Sequence, residues 1–154
     1  MQLLATTEAD TEAAGARLAR ALPAPLPMAL QVRLHGDLGA GKTTFVRGFL
    51  RELGHAGAVR SPTYTLVETY TVGAVTVVHA DLYRLQDPEE FAALGLRDLD
   101  LPGHVWLVEW PQRGGRWLPA ADLDVSLSAQ PDAHRIDLRA ATVPGAQWLA
   151  HIQS

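Results

Sequence analysis

Apolar positions along the chain change period several times, and each change predicts an element. Residues 2–5 form a short apolar start, read as an edge strand. Thr7 to Thr11 offers helix N-caps, and residues 12–22 read as an alanine-rich helix stopped by the run PAPLP at 23–27. Residues 29–34 alternate as a strand does. Phe45, Val46, Phe49, Leu50 and Leu53 then recur at helical spacing, which predicts an amphipathic helix over 42–53, closed by Gly54.

Residues 59–64 are a turn-prone link. Strands are expected at 66–70 and 75–79, joined around Gly73. Asp87 as N-cap and Pro88 at the first helical position start a short helix that ends near Gly95. A buried strand is expected at 105–108, a loop at 113–119, a hairpin from 125–127 and 134–138, and a last helix at 145–152. Strands alternate with helices early and follow one another later. This order predicts one α/β domain over residues 1–154, with a mixed, mostly parallel central sheet and helices on both faces.

Composition narrows the picture. The hydrophobic fraction is 47%, the charged fraction 19%, and no apolar run approaches the length of a membrane span. The start MQLLATTEADTE lacks the cationic and apolar regions of an export signal, so a cytoplasmic location with no membrane association is expected. With no cysteine there is neither disulfide nor thiolate metal site. A net charge of −4 argues mildly against a dedicated nucleic-acid binder. Thirteen positions are lysine or arginine, and Lys42 is the one lysine among them. A chain so biased toward arginine that keeps one lysine has a use for an ammonium there.

That lysine sits in GDLGAGKTTF, residues 36–45, which fits G-x-x-x-x-G-K-[ST] between a strand and a helix. Gly36, Asp37, Leu38, Gly39, Ala40, Gly41, Lys42, Thr43 and Thr44 are the candidate phosphate-binding residues. Glycines let the backbone curl around an anion, and the helix start presents free N–H groups to it. Lys42 brings a compact charge to the β and γ phosphates of a nucleotide, and Thr43 brings a hydroxyl to Mg²⁺.

Two acids follow apolar strands, Asp81 after VTVVHA and Glu109 after VWLV. Strand ends of an open parallel sheet gather where ligands bind, so either acid can serve magnesium or the attacking water. The preferred assignment gives Glu109 the metal and Asp81 the water or the metal's outer shell. Such acids otherwise serve as helix caps or surface charges. Ser61-Pro62-Thr63-Tyr64 lies where a segment could sense the γ phosphate through Thr63, or could be a plain turn. Arg84 is a candidate for stabilising developing negative charge, or a surface ion pair. Trp110 either shapes the site or fills the core. His79 is expected to be packed or hydrogen-bonded rather than catalytic, and His35 structural.

Together GDLGAGKTTF, RGFL at 47–50, SPTYTLVE at 61–68, H-x-DLYRL at 79–85 and VEWP at 108–111 resemble the TsaE (YjeE) family of small bacterial ATPases. The resemblance covers about half of the chain. It implies a P-loop NTPase fold and ATP and Mg²⁺ as cofactors. It also implies a role in forming threonylcarbamoyladenosine beside the tRNA anticodon. The partners it implies are the TsaD and TsaB proteins, a heterodimer whose repeated turnover the ATP cycle supports, with tRNA reached through that complex. It further implies that Lys42 and Thr43 hold phosphate and Mg²⁺, that Glu109 is the magnesium carboxylate, that Asp81 is needed for hydrolysis, and that Trp110 matters for activity. The alternative is a small-molecule kinase, which would need an arginine-rich lid. A GTPase that selects guanine by N-K-x-D is excluded, because the chain contains no asparagine and no second lysine.

Overall fold

The computed structural model describes residues 1–153. Its strands are β1 (Gln2–Ala5), β2 (Leu30–His35), β3 (Val67–Val72), β4 (Val75–Asp81), β5 (His104–Glu109), β6 (Leu123–Ala129) and β7 (His134–Ala140). Its helices are α1 (Glu8–Arg20), α2 (Lys42–Leu53), α3 (Pro88–Ala93) and α4 (Val143–Gln153).

All seven strands join one sheet in the order β1-β7-β6-β2-β5-β4-β3. The central strands β6, β2, β5 and β4 run parallel, and antiparallel strands flank them on both sides. This is the mixed α/β sheet that the order of elements implies.

The side-chain period of two divides the core between the faces. Val77, Val105 and Leu107 face one cluster with Val32, Leu34, Phe45, Phe49 and Trp148. Val78, Ala80, Trp106 and Val108 face another with Leu82, Leu85, Phe91 and Leu118. The first face carries α1, α2 and α4. The second carries α3 and the 3-10 turns that follow it. Phe45 and Phe49 are fully buried, and each such side chain contributes about 1.5–3 kcal/mol of transfer free energy.

α1 and α2 cross backbone to backbone. A Cβ on Gly15 would lie 2.0 Å from the Phe45 carbonyl oxygen, and one on Gly48 2.0 Å from that of Glu12. Glu12 also accepts from Arg47 at 3.2 Å and from Arg51 at 2.8 Å. α1 thereby fixes the helix that carries the phosphate loop.

Element bounds differ from the sequence expectation where side chains override periodicity. α1 starts at Glu8 rather than residue 12, because Thr7 caps it and Asp10 returns the bond in a capping box. Leu66 falls outside β3, its φ being +66°. The expected loop at 113–119 contains part of one 3-10 turn, Pro111–Arg113, and the whole of another, Gly115–Trp117. Among the described residues no helix is long and apolar enough to cross a membrane.

Candidate active site

β2 ends at His35, and the chain then turns through residues 36–41 into α2. Gly36 has φ +152°, and a Cβ there would approach the Leu127 carbonyl oxygen to 2.6 Å. Gly41, the N-cap of α2, has φ +103°, which no side chain tolerates cheaply. No side chain caps this helix end, so its first N–H groups point into the loop. His134 Nδ1 lies 2.9 Å from the Ala40 carbonyl oxygen, bracing the loop from β7.

Lys42 is 5% exposed. Its Nζ donates to the carbonyl oxygen of Gly36 and, at 3.3 Å, to that of Asp37. It also lies 4.1 Å from the centre of the Trp110 ring. Burial lowers the ammonium from its ordinary value of 10.5, while Glu109, Asp81 and Asp37 pull it back upward.

Glu109 and Asp81 are register partners at the ends of β5 and β4. Glu109 is 3% exposed. It accepts from the Thr43 hydroxyl at 3.2 Å on Oε1 and 3.0 Å on Oε2, and His79 Nε2 lies 2.6 Å from Oε2. Asp81 accepts from the Tyr83 N–H at 3.0 Å and, on its other oxygen, from the Ser61 hydroxyl. Thr63 Oγ1 lies 3.4 Å from both the carbonyl and the hydroxyl of Ser61. Arg84 rests 4.6 Å from the Tyr64 ring centre, and Trp110 stacks obliquely on Tyr83 at 5.0 Å.

These groups surround one cleft of about 520 Å³. Every candidate residue from the sequence lines it except Gly36, the first residue of the loop, whose carbonyl oxygen accepts a hydrogen bond from Lys42 Nζ. Asp37, Leu38, Gly39, Ala40, Gly41, Thr43 and Thr44 form one wall. Thr63, Asp81, Arg84, Glu109 and Trp110 line the cleft as well, with Glu109 bonded to Thr43 and Trp110 against Lys42. Glu8 and Tyr83, which the sequence did not single out, also line it, as does Ser61, read there as part of the segment 61–64 that could sense the γ phosphate. Serine before proline gave no signal of its own beyond a turn, since its value lies in reaching Asp81 across the fold. His35 is structural, 2.7 Å from Asp124 Oδ1.

Among the described residues no cluster of three or more His, Asp or Glu side chains is arranged to hold a metal by itself. The oxygen donors nearest the start of α2 include the Thr43 hydroxyl and the Glu109 carboxylate, with Asp81 beside Glu109 in the strand register. That set fits Mg²⁺, which takes few protein ligands and completes its octahedron with water and substrate phosphate. Thr43 and Glu109, in hydrogen-bond contact with each other, would hold it.

A family model described as threonylcarbamoyl adenosine biosynthesis protein TsaE matches residues 5–136. The tRNA threonylcarbamoyladenosine biosynthesis protein TsaE of Haemophilus influenzae is 49% identical over 114 residues, 74% of this chain and 72% of that protein. The protein of the same name from Rickettsia bellii is 37% identical over 138 residues, covering 88% and 95% of the two chains. The crystal structure of YdiB from Bacillus subtilis superposes with a TM-score of 0.81 over 99% of this chain and 93% of that one, at 28% identity.

Proposed function

This chain belongs to the TsaE family, and on that premise we propose that it binds and hydrolyses ATP to support tRNA threonylcarbamoyladenosine biosynthesis. In this reading it sustains turnover of a TsaD–TsaB heterodimer and reaches tRNA through that complex. The observation that carries the ATPase reading is the meeting of Lys42, Thr43 and Glu109 in one cleft at the phosphate loop.

Each side chain has a task that its chemistry suits. The loop amides and Lys42 bind the β and γ phosphates, concentrating donors and one compact charge on the triphosphate. Thr43 and Glu109 hold magnesium, which would neutralise phosphate charge when bound. Asp81 orients the water that attacks the γ phosphorus, held in place by Ser61 and the Tyr83 N–H. Thr63, on the same segment as Ser61, senses the γ phosphate. Arg84 at the rim stabilises charge that develops during transfer. Trp110 walls the cleft beside Lys42 and limits water around it. Adenine is favoured over guanine because the chain has no N-K-x-D element. The kinase alternative lacks support, since residues 54–66 carry a single arginine, Arg60, where an acceptor lid would cluster several.

The test is ATP hydrolysis measured alone, with the TsaD–TsaB heterodimer, and with small-molecule acceptors. Slow release of phosphate alone and a changed rate with the heterodimer are expected. An unchanged rate, together with failure to co-purify in the presence of nucleotide, would remove the partnership. Phosphorylation of an acceptor would favour the kinase.

A further inference from the structure

We propose that His79 is a positioning residue: its Nε2 holds the Glu109 carboxylate in the orientation that meets magnesium beside Thr43. The proposal rests on the magnesium–ATP reading above and deepens it.

The pleat of β4 puts His79 and Asp81 on the same face, two residues apart. Asp81 pairs with Glu109 in the parallel ladder, and His79 pairs with Leu107. The imidazole therefore stands one pleat behind the acids, on the side of the sheet that faces α2. It is fully buried, and its Nε2 lies 2.6 Å from Glu109 Oε2. Its Nδ1 is buried and has no hydrogen-bond partner.

That orphan nitrogen is informative. Leaving a buried polar atom unpaired costs about 1–3 kcal/mol. An apolar side chain would fill the same place on this face without that cost, as Val77 does next along it. The imidazole makes its one polar contact with Glu109, so that contact is what distinguishes it from a packing residue. A carboxylate oxygen accepts, so the tautomer assigned here carries its proton on Nε2.

Glu109 is held from two sides, by the Thr43 hydroxyl and by His79. Thr43 is itself a magnesium ligand in the reading above. Once its hydroxyl turns to the metal, His79 is the side chain left to fix Glu109. Side chains that orient a metal's ligands in this way change metal affinity by about 10–100-fold when removed.

The test uses the full chain as wild type, His79→Leu, His79→Gln and His79→Asn. ADP is titrated by calorimetry in EDTA, and Mg²⁺ is then titrated into the ADP-saturated protein. ADP affinity in EDTA should stay within about twofold of wild type for every variant, since His79 makes no hydrogen bond to the phosphate loop. His79→Leu should need roughly tenfold to 100-fold more Mg²⁺. Glutamine places an amide N–H near the position of Nε2 and should recover most of the affinity. Asparagine is too short and should not. If His79→Leu does not fold, the Gln–Asn pair carries the same contrast at a matched melting temperature. An unchanged Mg²⁺ requirement in His79→Leu, or equal requirements for Gln and Asn, overturns the proposal. Absence of ADP binding by the wild type in either condition overturns the nucleotide reading itself.

Discussion

Asp122 and Glu109 are both buried carboxylates beside the strands of one sheet, 9% and 3% exposed. They sit at opposite ends of the parallel strands and have partners of different kinds. Asp122, at the amino end, accepts from the Gln31 backbone N–H at 2.8 Å and from the Thr142 hydroxyl at 2.7 Å. These bonds tie β2, β6 and the start of α4 together. Glu109, at the carboxyl end, is held by the side chains of Thr43 and His79, one of which lines the cleft itself. Burial of an acid therefore does not by itself mark a site. What separates the two is place: Glu109, like Asp81, lines the cleft at the phosphate loop, whereas Asp122 ties β2, β6 and α4 together at the other end of the sheet.

The contrast has measurable consequences. Asp122→Ala should give the largest effect on folding, about 3 kcal/mol lost in a urea titration, because two bonds to a charged acceptor go and the Gln31 N–H is left unpaired. ADP affinity of the folded fraction should hardly change. A stable Asp122→Ala protein with weakened ADP binding would reverse the assignment of the two ends. Lys42→Ala should act the other way, with on the order of 100-fold weaker ADP binding by calorimetry and little change in the urea midpoint.

The smallest expected effect concerns pH. Burial lowers the Lys42 ammonium below 10.5. Just below that value the folded chain binds fewer protons than the unfolded chain, so raising the pH favours folding. Wild type should therefore gain stability relative to Lys42→Met between neutral pH and 10.5, read from urea midpoints across that range. A constant difference would mean that the ammonium is not desolvated by its loop.

The amino-acid sequence revealed one half of this contrast better than the other. The phosphate loop, α2 and the two acids that end β4 and β5 are legible because each is a local pattern: glycines at fixed spacing, a helical stripe, an apolar run closed by a carboxylate. Asp122 gave no such signal, since its partners lie 91 and 20 residues away. Ser61 was legible as part of a turn or a γ-phosphate-sensing segment but not as the donor to Asp81, and His79 as a packed or hydrogen-bonded residue but not as the neighbour of Glu109. The start of α1 lies four residues before the alanine-rich run that suggested residue 12, because Thr7, among the N-caps offered there, closes a capping box with Asp10. Local pattern carries the elements, while contacts across the sheet decide which side chain serves which neighbour.

The pairing of β1 with β7 joins residues 2–5 to residues 134–137. β1 is synthesised long before β7, so it cannot take its place in the sheet until residues 134–137 have followed it. The phosphate loop, whose Ala40 carbonyl oxygen lies 2.9 Å from His134 Nδ1, likewise gains that brace only once β7 has been made.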